Sequence, residues 1–287
     1  MNGPAYGRTA TNTVLNAAGK YHHWKGKGGL SIKSFSNGSA KYEIGNHAIE
    51  VDDKSYLVLN HGQEYAVSID SPSKVEAFCI FFRDGFAEEV CASVNSKAVT
   101  LLDDPERRSR RLEFFQTARP QDRVLTPALS RFRSAYLLRR EEPGWVEEQM
   151  HAVMVGLLSA HQQILKEVAS VKAVRAVTRT EIYRRIHTAR DYMCSSLSDP
   201  VSLDSMAAVA CLSPNHFLRR FREIVGRTPH QYLVMKRLER AARLLETTDR
   251  SVTEIAYEVG FASPGSFSWL FRRRHGISPR QYRRSKK

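Results

Sequence analysis

The sequence predicts an α+β protein: a β-rich barrel or sandwich followed by helices, then an all-α C-terminal region in which two similar helical hairpins flank a long helix. Three observations predict it. Short apolar stretches separated by turn residues fill positions 26–82. Apolar spacings of three and four residues take over beyond Phe82. Residues 213–232 and 263–282 repeat each other at an offset of 50. The 287 residues suit about two domains, and 42% hydrophobic with 26% charged residues argues against wholesale disorder.

The β elements come first. Leu30–Phe35, Tyr42–Ile44, His47–Val51, Tyr56–Leu59, Tyr65–Ile69 and Val75–Phe82 read as short strands. Asn37-Gly38 and Gly45-Asn46 suit hairpin turns, because these residues tolerate positive φ. Helices are expected at Glu106–Thr117, Val124–Arg140 and Trp145–Ala169. In the last, Met150, Val153, Leu157, His161, Ile164 and Val168 form one apolar stripe, which is either core or a self-association seam. Val171–Thr180 is weakly patterned and rich in small residues, so it reads as a linker.

The two copies of the repeat are SPNHFLRRFREIVGRTPHQY and SPGSFSWLFRRRHGISPRQY, identical at nine of twenty positions. The identities have a physical logic. Ser followed by Pro is an N-cap followed by a first helical residue. Phe217 with Phe221, and Phe267 with Phe271, are four apart and share a buried face. Gly226 and Gly276 stand where a helix would stop. A shorter helix precedes each copy, at Leu203–Val209 and Val252–Val259. In each, an alanine (Ala207, Ala256) is followed four residues on by a turn position (Cys211, Gly260). That is the arrangement of a helix-turn-helix unit: a small residue where helices cross, then a left-handed turn. Gly260 suits the turn, whereas Cys211 in that conformation costs about 1–2 kcal/mol. Gln231–Thr247 reads as one helix holding the units apart, with Tyr232, Leu233, Leu238, Ala241, Leu244 and Leu245 inward and Lys236, Arg237, Arg240 and Arg243 polar.

Charge points the same way. The net charge is +14, and residues 181–287 hold 20 Lys and Arg against 10 acids, while residues 1–180 hold 24 against 20. A localised basic field concentrates a polyanion, and nucleic acid is the common one.

Residues 181–285 resemble the DNA-binding domain of the AraC/XylS family of bacterial transcription regulators, most specifically over Ile255–Ser263 followed by Phe267, Phe271, Gly276, Pro279 and Tyr282. The N-terminal part resembles the family's cupin-like sensor domain. The resemblance implies residues 1–170 as a sensor domain with dimerisation helices, 171–180 as linker and 181–287 as DNA-binding domain. It implies recognition helices at Pro214–Glu223 and Pro264–Arg274 entering successive major-groove segments. Base reading is then expected from Asn215, His216, Leu218 and Arg219 in the first unit, and from Pro264, Gly265, Ser266, Ser268 and Trp269 in the second. Arg219 would take guanine bidentately, worth about 1–3 kcal/mol of discrimination. Trp269 departs from the pattern, standing where an arginine is common. Phosphate contacts are expected from Ser213, Arg220, Arg222, Ser263, Arg272 and Arg273.

For the sensor part, Trp24, Tyr42, His61 and Tyr65 are the candidate effector-pocket residues, as aromatics with a few polar groups. There is no HxH pair: His22-His23 are adjacent, and His47 and His61 are isolated. Cys79, Cys91, Cys194 and Cys211 form no CxxC. A metal site is therefore disfavoured and no cofactor is expected. No paired carboxylates or nucleophile motif supports an enzyme. No secretory signal or membrane span is expected, which implies a cytoplasmic, nucleoid-associated protein. The expected partners are double-stranded promoter or operator DNA, RNA polymerase, a small-molecule effector and a second copy of the chain through the Trp145–Ala169 helix. A barrel enzyme fused to a DNA-binding domain, or an architectural binder without sequence preference, are the alternatives.

Overall fold

The computed structural model describes residues 11–45, 47–95, 111–173 and 175–286. The chain divides into two compact units, Met1–Ser170 and Val171–Lys287. It is a mixed α and β protein, with the sheet in the first unit and, among the described residues, helices without strands in the second.

The sheet of the first unit has strands β1 (Thr13–Lys27), β2 (Ser31–Ser36), β3 (Ala40–Ile44), β4 (His47–Val51), β5 (Ser55–Leu59), β6 (Glu64–Phe81) and β7 (Arg119–Pro120). The order is β4-β3-β6-β2-β5-β7, and β1 pairs with the other edge of β6. All pairings are antiparallel. β2 and β4 approach each other although they are not neighbours in that order, so the sheet curls. Alternation along the strands makes two cores. Phe35, Tyr42, Ile49, Leu57, Leu59, Tyr65, Val67, Cys79 and Phe81 pack together on one face. Ile32, Tyr56, Val58, Phe78, Ile80 and Phe82 face the other way, against helices α1 (Phe86–Asn95), α2 (Thr126–Arg139) and α3 (Pro143–Ser170).

Several expectations need correction. β1 was not anticipated, because Asn-Ala-Ala-Gly-Lys-Tyr-His-His shows no alternation; it is a mostly exposed strand held by its pairing with β6. The two stretches Tyr65–Ile69 and Val75–Phe82 belong to one long strand. Its ladder is interrupted where residues 71–74, including Pro72 with no N–H to donate, stand against Lys20 alone. The Asn37-Gly38 turn has positive φ at both residues (60° and 153°), and Gly45 has φ 58°, while Asn46 lies outside the described residues. Residues 106–110 of the expected Glu106–Thr117 helix also lie outside them, and 111–117 are not helical. Side chains from elsewhere take their backbone groups. Asn60 brackets Phe114, donating to its carbonyl at 2.8 Å and accepting from its N–H at 2.9 Å, and Glu88 accepts from the Leu112 N–H. The α3 stripe is core: Met150, Val153, Leu157, His161 and Val168 are buried. Met150, Val153 and Leu157 pack in the core of this unit, so a second copy docking on that stretch of α3 would need another face of the helix.

The described residues of the second unit form helices α4 (Ala176–Ser195), α5 (Leu203–Val209), α6 (Pro214–Val225), α7 (Pro229–Thr247), α8 (Val252–Glu258), α9 (Pro264–His275) and α10 (Pro279–Lys286). Residues 176–180 of the expected linker form the first turns of α4. Ser202, Thr228 and Ser251 open α5, α7 and α8 with capping boxes, in which side chain and backbone satisfy each other's orphan donors. Gly226 and Gly276 close α6 and α9 in the left-handed conformation.

Candidate nucleic-acid interface

Each expected hairpin forms a helix pair, α5–α6 and α8–α9, and the turns inside them match bond for bond. Leu212 N–H donates to the Ala207 carbonyl and Phe261 N–H to the Ala256 carbonyl, both at 3.0 Å. Cys211 N–H donates to Ala208 and Gly260 N–H to Tyr257, both at 2.9 Å. Ala207 and Ala256 are buried, as close helix crossing requires. Cys211 adopts φ 51° and Gly260 φ 89°, so the cysteine does carry the left-handed strain expected of it. Its carbonyl is held by Arg185 Nη1 at 3.1 Å.

The inward faces of α6 and α9 are equally matched. Phe217, Phe221, Phe267 and Phe271 are all fully buried, with ring centroids 5.3 Å and 5.5 Å apart within each pair. Tyr232 meets Phe221, and Tyr282 meets Phe271, edge to face. Helix α7 joins both sides. Leu238, Ala241, Ala242 and Leu245 pack with Ile255, Ala256, Val259, Phe261, Phe267 and Phe271. Arg237 of α7, expected as a polar or snorkelling residue, is a structural clamp. It donates to the carbonyls of Leu197 (3.0 Å) and Asp199 (2.9 Å). Gly260 sits so close that a Cβ would lie 2.3 Å from the Leu197 carbonyl and 2.7 Å from Arg237 Nη2.

The outward faces differ. On α6, Asn215, Leu218, Arg219 and Arg222 are exposed. With Lys172, Glu223 and Thr228 they line an open groove of about 800 Å³. Arg220, expected at phosphate, is engaged within its own helix: it donates to Glu223 Oε2 at 2.8 Å and to His216 Nε2 at 3.2 Å. A role at phosphate would require breaking that pair. Burial and the neighbouring Arg220 and Arg219 charges hold the His216 imidazole below its ordinary range, which keeps its nitrogen an acceptor. Ser213 is exposed and makes no cap bond, whereas Ser263 caps α9 through the Ser266 N–H at 3.2 Å. On α9, Gly265, Ser266 and Trp269 are exposed, and Pro264 and Ser268 are half-buried. The Ser266 hydroxyl accepts from the Ser263 hydroxyl. Trp269 is 61% exposed, with the Arg273 guanidinium 5.3 Å from its ring. Arg272 is exposed, and Arg274 pairs with Glu239 at 3.3 Å.

In the first unit, three of the four effector-pocket candidates meet. Tyr65 lies 4.9 Å from Trp24 and 5.7 Å from Tyr42, centroid to centroid. His61 stands apart from these rings, half-buried in the turn before β6 and near Gly29. The residue that sequence reasoning missed here is Lys33, which is 2% exposed and sits over Tyr65 and Phe81. A signal existed: Lys33 and Phe35 share a strand face, opposite to that of Ile32. No helix among the described residues is long and apolar enough to cross a membrane.

Comparison with known proteins bears on the second unit. Residues 206–285 match the family described as "Helix-turn-helix domain". The chain is 36% identical over 92 residues to a probable transcriptional regulator, LumQ, of Photobacterium leiognathi, covering 32% of this chain and 37% of that one. It is 41% identical over 86 residues to the HTH-type transcriptional regulator MtrA of Neisseria gonorrhoeae, covering 30% and 29%. The matches therefore span well under half the length of these relatives. A solved structure, the DNA-binding domain of the transcription factor AdpA with a target DNA, aligns at 38% identity over 35% of this chain and 91% of that one, with a TM-score of 0.34. Sequence match and helix geometry together define the second unit as a helix-turn-helix DNA-binding domain. In that domain the chain is similar to regulators of the AraC/XylS family.

Proposed function

We propose that this chain is a sequence-specific transcription regulator that reads double-stranded promoter or operator DNA through both helix pairs. In this reading α6 and α9 are the recognition helices of two helix-turn-helix units, and α7 sets their spacing so that both reach one side of the duplex. The observation that carries it is the duplication itself: two helices with matching buried Phe pairs and matching turns, each with an exposed outer face, in the basic part of the chain. Asn215, Leu218 and Arg219 read bases from the first unit, with His216 at the edge. Trp269, Ser266 and Ser268 read from the second, where Pro264 and Gly265 allow close backbone approach. Ser213, Arg222, Ser263, Arg272 and Arg273 meet phosphates. The 1–170 unit is a cupin-like sensor in which Trp24, Tyr42 and Tyr65 line an effector site, and it supports a homodimer. RNA polymerase is the downstream partner. The chain is not an enzyme in this reading; the relatives it matches are named as regulators.

Selection of bound duplexes from a random pool, followed by gel-shift titration against shuffled versions, tests this. The expected result is a recovered motif in two parts spaced about one helical turn, bound roughly 10³-fold or more tightly than shuffled DNA at physiological salt. Equal affinity for selected and shuffled duplexes overturns it.

A further inference from the structure

The first unit buries a cation with no counter-charge among the described residues. Lys33 stands on the inner face of β2, in register with Leu57 of β5 and Cys79 of β6, and is 2% exposed. Its ammonium lies 3.7 Å from the ring centroid of Phe81 and 5.4 Å from that of Tyr65. Among the described residues, no carboxylate pairs with it and no hydrogen bond holds it. Cys79 is a titratable neighbour on the facing strand, and burial pushes that thiol up, so near neutral pH it offers no thiolate. The same burial lowers the Lys33 ammonium to about 8, which leaves it mostly charged at neutral pH. Ring faces attract a cation but replace its lost hydration only in part. Every other described lysine of this unit is at least partly exposed, so Lys33 is the exception to the ordinary rule for charges.

The surroundings say what would complete the site. From Lys33 a run of rings leads outward: Tyr65, then the half-buried Trp24 at 4.9 Å from it, with Tyr42 and Phe35 alongside. Gly26 and Gly28 let these rings lie against the backbone, since a Cβ would sit 2.8 Å from Trp24 and 2.9 Å from Tyr65. A buried cation with a packed run of aromatic rings between it and the surface matches a molecule with an anionic head and a flat apolar body. We infer that Lys33 anchors the effector, and that the effector is a monocarboxylate carried on an aromatic body, with its carboxylate on the Lys33 ammonium and its ring among Trp24, Tyr42 and Tyr65. This rests on the reading that the first unit takes an effector. The carboxylate supplies the charge that the fold withholds, so ligand binding and unit stability are linked.

The test is thermal unfolding of the full chain with phenylacetate, cinnamate or naphthoate, each beside its primary amide, which keeps the shape and removes the charge. At least one acid at a hundredfold excess over its Kd raises Tm by roughly 5–10 °C, and its amide does not. Lys33→Met abolishes that shift, and without ligand it melts higher than the parent, because it keeps the volume and removes the uncompensated charge. Lys33→Arg keeps the charge and keeps the preference for acid over amide, which covers the case in which the methionine variant does not fold. Equal shifts from acid and amide, no shift from any acid, or an unchanged acid shift in Lys33→Met overturns the inference. So does a Lys33→Met protein that folds but melts lower than the parent. Gel shifts with the selected duplex run alongside: the parent binding its duplex while showing no acid preference refutes this inference alone, whereas failure to prefer that duplex refutes the reading beneath it.

Discussion

The two helix pairs of the second unit are alike wherever the chain must cross, turn or bury a ring, and unlike wherever it faces solvent. Phe217 and Phe221 occupy the places of Phe267 and Phe271, and the turn hydrogen bonds agree to within a tenth of an ångström. Yet α6 presents Asn215, Leu218 and Arg219, while α9 presents Gly265, Ser266 and Trp269. Even the seventh residue of each helix, counted from its proline, differs in kind. Arg220 is tied to Glu223 and His216, whereas Leu270 packs on the hydrophobic cluster. The difference teaches that one scaffold, held by about the same buried contacts, leaves its outer face free to carry different chemistry.

The largest effects should fall on what the pairs share. Phe217→Ala and Phe267→Ala each remove a fully buried ring, and each should cost about 3–5 kcal/mol by denaturant titration. A loss several-fold larger for one than the other would break the equivalence. The turns come next, and there the pairs should respond in opposite directions. Gly260→Ala places a Cβ against the Leu197 carbonyl and Arg237 at φ 89°, and should cost about 3 kcal/mol. Cys211→Gly relieves left-handed strain at some cost in unfolded-chain entropy, so it should stabilise by less than about 1 kcal/mol.

The outer faces should separate by specificity rather than stability. Arg219→Ala should lose about 1–3 kcal/mol of discrimination at one base pair. Arg272→Ala should weaken all duplexes alike and reduce the salt slope by about 1, as read from gel shifts across a salt series. Identical profiles for the two variants would remove the distinction between reading and positioning. The smallest contrast lies at the caps. Ser263→Ala should cost about 1 kcal/mol, because its side chain accepts from the Ser266 N–H. Ser213 makes no such bond, so Ser213→Ala should be nearly silent in the same unfolding assay.

Much of this was legible in the residues. Ser-Pro openings, glycine stops and the i, i+4 Phe pairs are local signals, and they located α6 and α9 to within a residue or two. The Asn37-Gly38 turn and most of the short strands were legible for the same reason. What escaped was set by distant partners. β1 is a strand because β6 pairs with it, in spite of its polar composition. Residues 111–117 are not helical, and there Asn60 and Glu88 hold backbone groups that a helix would use. Arg237 is a clamp because Leu197 and Asp199 arrive beside it from the end of α4.

The sequence by itself therefore determined the helical repeat, its turns, its basic charge and the faces that bury, all of which depend on spacing within one element. Only the tertiary structure decided which aromatic rings meet in the first unit, that the α3 stripe is core, and that Lys33 is enclosed with no counter-ion among the described residues. The physical reason is that burial of a strand residue depends on register and on how the sheet curls, and those are properties of contacts between segments far apart in the chain.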